Sequence, residues 1–348
     1  MPREEPFPHK KIALDSSPVS FIHRLASHWE TFKIQSRLRM RNARRVAIFS
    51  LRSGDIRTLT NSDIPLVFLT RNAENFLPSF LAHYRQLGVT RFLCVDDQSS
   101  DATREILLKQ SDVELFGSPI RYGEADRGRL WRQELFRLFG IGRWYLNVDC
   151  DEYFIYDGYE EKSLHTLISQ LEALKIMHCP APMIDLYPEG VISSAVFDGS
   201  SDVMPWQVAS MFDASGYHLK RDNRSMSLTG GPRKRILNEH VELMKYPLLY
   251  VQNPLALASS IHKPLPYYRN FSPILGSLLH FKFFSDALLF AQAAVADGQY
   301  YGGAHVYKNV VEVLSAHDDA TLAGPHSVSF KSSRQLADLG FFAHLPEQ

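Results

Sequence analysis

Cysteine is scarce: Cys94, Cys150 and Cys179 are the only three in 348 residues. They form no CxxC pair, which excludes a disulfide framework and a thiolate zinc site. Long hydrophobic runs are missing too; none approaches the length of a membrane span, and the opening MPREEPFPHKK lacks the apolar core of a secretory signal. A soluble cytoplasmic protein with reduced thiols is expected. Net charge is also absent, because 38 Lys and Arg balance 38 Asp and Glu. No global field argues for nucleic acid, so no nucleic-acid partner is expected. No internal repeat is found.

What the chain does contain is enough apolar sequence, 45% of residues, for one large α/β domain with appendages. Its charge is unevenly spread. Between Phe21 and Arg57 lie Arg24, Lys33, Arg37, Arg39, Arg41, Arg44, Arg45, Arg52 and Arg57 against only Glu30 and Asp55. This is a basic, partly amphipathic arm. Such an arm either packs along the domain as a solvated helix or rests on an anionic membrane, where each cation contributes about 1 kcal/mol. The Pro-rich, polar residues 1–20 before it are expected to be disordered, and VAIFSLRSGDIRTL after it reads as two short strands around a turn.

From Ile64 the pattern becomes regular. IPLVFLT is a continuous apolar strand, and ENFLPSFLAHYRQLGV has apolar residues at helical spacing before Gly88 stops it. RFLCVDD, VELFGS and WYLNVDCDEYFIY are further strands, separated by the helices SSDATREILLKQ and EADRGRLWRQELFRLFG. This alternation predicts βαβ units and a largely parallel sheet covered on both faces. Downstream, SLHTLISQLEALKI reads as a helix and MHCPAPMIDLY as a strand. Residues 190–235 read as a long loop region with short strands, and SLLHFKFFSDALLFAQAAVADGQ as a strand followed by a helix.

Ligands of parallel α/β sheets bind at the C-terminal ends of the strands. Three such ends here are polar: Thr70-Arg71-Asn72-Ala73-Glu74, Asp96-Asp97-Gln98-Ser99-Ser100-Asp101 and Asp149-Cys150-Asp151-Glu152. Asp101 and Ser99 are expected to cap the next helix. Asp97, and after it Asp96, is expected to contact ligand. On an extended backbone Asp149 and Asp151 share one face, and two hard oxygens on one face suit Mg²⁺ or Mn²⁺. Glu152 points the other way and is expected to pair with an Arg or to orient the loop.

These segments, VFLTRNAENFLPSFLAHYRQLGVTRFLCVDDQSSDATREIL followed by WYLNVDCDEYFIY, resemble the GT-A glycosyltransferases, in particular the bacterial family-2-like branch with RNE, VDDxSxD and VDxDE segments. The resemblance runs from about Ile64 to Tyr187 and continues through LTGGPRKR and LLHFKF. It departs at Ala73, which separates Asn72 from Glu74, and at Gln98, where Gly or Asn is commoner. It implies a Rossmann-like, mostly parallel sheet flanked by helices, here with a basic helical N-terminal arm. The implied organisation is a disordered N-terminus (1–20), the arm (21–62), a nucleotide-sugar-binding half (63–190), an acceptor-side and metal-completing half (191–315) and a C-terminal extension (316–348).

The function implied is sugar transfer, by inversion, from a UDP-sugar to a polysaccharide or glycolipid hydroxyl, with Mn²⁺ or Mg²⁺ as cofactor. By the same resemblance Thr70, Arg71, Asn72 and Glu74 line the nucleotide pocket and Asp97 contacts uracil or ribose. Asp149 faces ribose or metal, Asp151 binds metal and diphosphate, and a downstream His completes the metal shell. His280 is the candidate, with His262 next. In GGPRKR, Arg233 can stabilise leaving-group charge. Of Arg127, Arg129 and Arg132, at most one is expected at the site. Displacement at the anomeric carbon needs a base; Asp185 at a strand end is the candidate, and Glu189 the alternative. Two other readings remain open: a nucleotidyltransferase on a similar sheet, against which the glycine-free TRNAENF argues, and a silent sugar-nucleotide or glycan-binding protein.

Overall fold

The computed structural model describes residues 4–9, 19–40, 45–299, 301–316 and 319–346. In chain order the elements are β1 (Glu4–Phe7), α1 (Phe21–Met40), β2 (Phe49–Ser50), β3 (Pro65–Thr70), α2 (Leu77–Leu87), β4 (Arg91–Asp96), α3 (Thr103–Leu108) and β5 (Val113–Gly117). Then follow α4 (Arg129–Phe139), β6 (Arg143–Asn147), β7 (Glu152–Tyr156), α5 (Leu164–Ala173), β8 (His178–Leu186), β9 (Met211–Asp213), β10 (Tyr217–Arg221) and β11 (Met226–Gly230). The chain continues through α6 (Gly231–Leu237), β12 (Met244–Val251), β13 (Gly276–Phe281), α7 (Ala287–Asp297), α8 (Tyr301–Ala316), β14 (Ser327–Ser329) and α9 (Ser333–Leu339).

A nine-stranded sheet in the order β2-β5-β4-β3-β6-β12-β8-β13-β7 organises the molecule. The strands β5, β4, β3 and β6 run parallel, as their uninterrupted apolar runs predict. Antiparallel β12 then joins β6 to β8, β13 lies parallel to β8, and β7 closes the edge antiparallel to β13. The result is a Rossmann-like α/β sheet flanked by helices. Leu66, Phe68, Leu93, Val95, Trp131, Leu146, Phe154, Ile184 and Leu278 are all fully buried in its main core, and a smaller second cluster lies around Tyr187, Phe283, Ala291 and Val310. Helix α2 starts with Pro78 in its first turn and ends at Gly88, whose φ of 100° supplies the left-handed cap.

Several local expectations change. Of the N-terminal residues expected to be disordered, 4–7 form β1, whose antiparallel partner is β10, and Phe7 is buried against Tyr217 and Phe341. Burial of that aromatic side chain offsets the cost of ordering the segment. Residues 1–3 and 10–18 lie outside the described residues, as do Arg41 and Arg44 of the arm. The VAIFSLRSGDIRTL segment contributes only β2, not two strands. The region 190–235 holds β9, β10, β11 and most of α6. All three thiols are buried and free.

Candidate active site

A cavity of about 410 Å³ opens at the C-terminal ends of the parallel strands, lined by Thr70, Arg71, Asn72, Glu74, Asp97, Asp149 and Asp151. These are seven of the ten residues expected at the site. The loops after β3 and β4 are stitched together there. Asn72, held at φ 50°, gives its amide to Ser99 Oγ (2.9 Å) and accepts from the Ser100 amide (2.8 Å). The Ala73 and Glu74 amides donate to Thr103 Oγ1 (2.8 Å) and an Asp101 oxygen (3.2 Å), and Glu74 accepts from the Ala102 amide (2.8 Å). Asp101 also accepts from the amide of Thr103, the first residue of α3 (3.0 Å), although the N-cap position itself is Ala102. Ser99, expected as a cap, serves instead as the anchor of Asn72.

Asp97 and Asp96 separate cleanly. Asp96 is buried against Arg104, with Nε 2.5 Å away, and holds the Ser99 amide, so it shapes the loop. Asp97 lines the cavity, where Arg121 Nε donates to it at 2.9 Å and Arg71 Nη1 lies 3.8 Å away. Both guanidiniums also face Asp297 at the end of α7. Burial pushes the Asp97 carboxyl up to about 7, against the pull of Arg71.

The D-x-D segment departs from the extended geometry expected of it. Cys150 and Asp151 form a turn between β6 and β7, closed by the Glu152 amide donating to the Asp149 carbonyl (3.1 Å). The two aspartates therefore diverge. Asp149 receives Arg132 Nη2 at 2.6 Å on one oxygen and Lys245 Nζ at 2.8 Å on the other. Asp151 receives Lys282 Nζ at 3.0 Å and lies 3.4 Å from His280 Nε2. Burial alone would raise both carboxyls, but Lys245 and Arg132 hold Asp149, and Lys282 and His280 hold Asp151, well below the usual carboxylate range. Glu152 is buried beneath the turn, paired with Lys245, and accepts the Asp149 amide at 3.1 Å, which orients the loop.

His280 reaches the site through strand register. On β13 it stands opposite Asp185 of β8 and Glu152 of β7. Its Nδ1 is 2.6 Å from Asp185 Oδ1, and Arg233 Nε donates to Asp185 Oδ2 at 2.7 Å. Asp185, Arg233 and His280 are all buried and none lines the cavity. The structure places two of the expected residues away from the cavity lining. Asp185 is buried with both oxygens engaged, by His280 and Arg233, and lies outside the cavity lining. Arg233 is not on a flexible basic turn but inside α6, turned inward. Glu189 is exposed and away from the cavity, and His262 bonds to the Met244 carbonyl at 2.9 Å. Of the three arginines before the D-x-D, Arg132 reaches the acids, while Arg129 binds the Ala258 and Ser259 carbonyls.

Among the described residues, Asp151, Glu152 and His280 each offer one ligand atom, and these atoms lie within 4.8 Å of one another. Two carboxylate oxygens and an imidazole nitrogen suit Mn²⁺ or Mg²⁺. Asp149, expected as a ligand, is outside this cluster; its oxygens face Arg132 and Lys245. Sequence reasoning missed Lys245 and Lys282. Lys245 is a lone cation within the largely apolar β12, and Lys282 follows β13 between Phe281 and Phe283; that isolation was the available signal.

No family model matches the chain, and no curated protein matches it in sequence. Solved structures that are similar in part include the following three. HddC from Yersinia pseudotuberculosis aligns over 37% of this chain and 61% of its own, at 12% identity and a TM-score of 0.24. A putative glucose-1-phosphate thymidylyltransferase from Bacillus anthracis aligns over 40% and 67%, at 7% identity and 0.25. The inositol-1-phosphate CTP transferase from T. maritima aligns over 64% and 87%, at 11% identity and 0.28. The chain thus spans about three fifths of the first of these. Overlap this low carries no argument about its reaction.

Proposed function

We propose that the chain is a glycosyltransferase that moves a sugar from a nucleotide-sugar donor, UDP-linked, to a hydroxyl of a polysaccharide or glycolipid, with inversion. The observation that carries this reading is the loop after β3. A nucleotidyltransferase would present free loop amides there to cradle a triphosphate. Here the amides of Asn72, Ala73 and Glu74 are all given to Ser99, Thr103 and Asp101. What lines the cavity instead includes Asp97 and the D-x-D turn with Lys282. A carboxylate accepts from ribose or base, and an ammonium donates to a diphosphate.

In the reaction the anomeric carbon–oxygen bond to the diphosphate breaks, the acceptor oxygen bonds to that carbon from the opposite side, and nucleoside diphosphate leaves. Lys282 donates to the departing diphosphate, whose charge peaks as the bond breaks. Arg71 and Arg121 hold Asp97 in place for the nucleoside. His280, fixed by Asp185, sets the position of Asp151. The acceptor proton passes to a carboxylate lining the cavity, a place Asp185 does not occupy. Asp151, Glu152 and His280 would hold a divalent ion, which when bound supplies further charge stabilisation to the diphosphate.

Incubation with a panel of nucleotide sugars and oligosaccharide or lipid-linked acceptors, with Mn²⁺, Mg²⁺ or EDTA, tests the proposal. Release of free UDP with a glycosylated product of inverted anomeric configuration supports it. Pyrophosphate release would assign the chain to nucleotidyl transfer instead, and saturable binding without turnover to a silent binding protein.

A further inference from the structure

The helix α1 is built the wrong way round for a surface helix of a free-standing domain. Its small and polar side chains face the protein: Ser27 and Thr31 are buried, and Thr31 Oγ1 accepts the Tyr267 amide at 3.0 Å. His23 Nε2 lies 2.8 Å from the Asp222 carbonyl, and His28 stacks on Tyr268 at 3.9 Å between ring centroids. Its largest apolar side chains face outward. Phe21, Ile22, Leu25, Trp29 and Phe32 are between 54% and 78% exposed. Their spacing of i, i+1, i+4, i+8 and i+11 places all five in one sector of about 100°. A contiguous exposed apolar stripe of this kind marks an interaction site, whereas scattered exposed apolar residues do not.

The charge around the stripe selects the partner. Helix α1 carries Arg24, Lys33, Arg37 and Arg39 against the single acid Glu30. Glu30 is already bound by Arg224 (3.0 Å) and Lys33 (3.1 Å). Arg24 and Lys33 are exposed and flank the apolar sector on its two sides. Lys33 Nζ lies 5.7 Å from the Trp29 ring centre, so its stem runs along the stripe while its head stays at the rim. Aromatic and aliphatic side chains in the middle with cations at the edge match the interface of an anionic bilayer, where rings enter the acyl boundary and cations meet headgroups. No described helix is long and apolar enough to cross a membrane, so α1 lies in the surface plane.

We propose that α1 is a membrane-docking helix that seats the protein on an anionic lipid surface through Phe21, Ile22, Leu25, Trp29 and Phe32. The inference is independent of the chemistry assigned to the cavity. The full chain is tested by flotation with phosphatidylcholine vesicles and with the same vesicles containing phosphatidylglycerol. Expected are binding to the anionic vesicles, weakening with added salt, and a blue shift of tryptophan emission that is lost in Trp29→Ser. The triple variant Phe21→Ser, Trp29→Ser, Phe32→Ser should lower the partition coefficient by more than about tenfold, with an unchanged thermal unfolding midpoint because the three side chains contact solvent. Failure of the wild type to float with either vesicle overturns the proposal. So does a triple variant that floats like wild type, or concentration-dependent self-association abolished by the triple variant, which would assign the face to a second copy of the chain.

Discussion

Replacing Asp185 by Asn separates a positioning carboxylate from a general base. Asp185 accepts from His280 Nδ1 at 2.6 Å and Arg233 Nε at 2.7 Å, and is 1% exposed. Burial would raise its carboxyl, but Arg233 and His280 hold it down at about 2 against an ordinary value of 3.8. Lowering a carboxyl this far in the folded state alone stabilises that state by about 2 kcal/mol near neutrality. The folded value is the lower one, so the contribution is complete above about pH 4 and is lost as pH falls through about 2. Asn also leaves the buried Arg233 without its anion, which costs on the order of 3–5 kcal/mol. Denaturant unfolding of wild type and Asp185→Asn should therefore differ by about 2–5 kcal/mol at pH 7, and the gap should narrow as the solution is acidified below about pH 4. A difference under about 1 kcal/mol, with turnover abolished, would refute this reasoning and return Asp185 to the role of base.

Lys282→Met should weaken UDP binding by about tenfold or more, the loss of one charge-assisted hydrogen bond; equal dissociation constants by calorimetry would remove Lys282 from the diphosphate site. Lys245→Met leaves Asp149 and Glu152 short of a cation and should cost about 3–5 kcal/mol, part of which Glu152→Gln in the same chain recovers. Thermal unfolding reads both, and additive losses would deny the pairing. Gly276→Ala places a methyl 2.6 Å from Phe154 Cε2 and 2.7 Å from the Ile155 carbonyl oxygen. An overpacking loss of about 1–3 kcal/mol is expected, and an unshifted unfolding midpoint would show that β13 and β7 can part to admit it.

The parallel half of the sheet was legible because IPLVFLT, RFLCVDD and VELFGS are continuous apolar runs, the mark of strands buried on both faces. The strand-end acids followed from that topology, and Asp97, Asp149 and Asp151 do line the cavity. The partners of those acids were not legible. Lys245 lies 96 residues from Asp149, and Lys282 lies 131 from Asp151. Pairing at such distances is set by the order of β12, β8 and β13 in the sheet, which local periodicity does not encode. The D-x-D was misread for a related reason. The apolar run through Val148 suggested that the strand continues, whereas the Glu152 amide closes a turn onto Asp149. The outward face of α1 was hidden as well, because a helical repeat shows that a stripe exists but not which side meets the protein.

The register of β13 has a consequence for how the molecule comes to life. Asp149, Asp151 and Glu152 are synthesised long before Lys245, His280 and Lys282, which neutralise them. A nascent chain that has completed β3 to β7 therefore carries three mutually repelling acids at one turn, with Arg132, among the described residues up to that point, to answer them. In the folded protein that turn is neutralised by cations carried on and just after β12 and β13, together with Arg132. The charge balance of the cavity thus rests on contacts between segments 96 and 131 residues apart, the kind of long-range closure that slows folding. A fragment ending before β12 would hold the donor-side loops yet lack the charges that let the D-x-D turn settle beneath the sheet's edge.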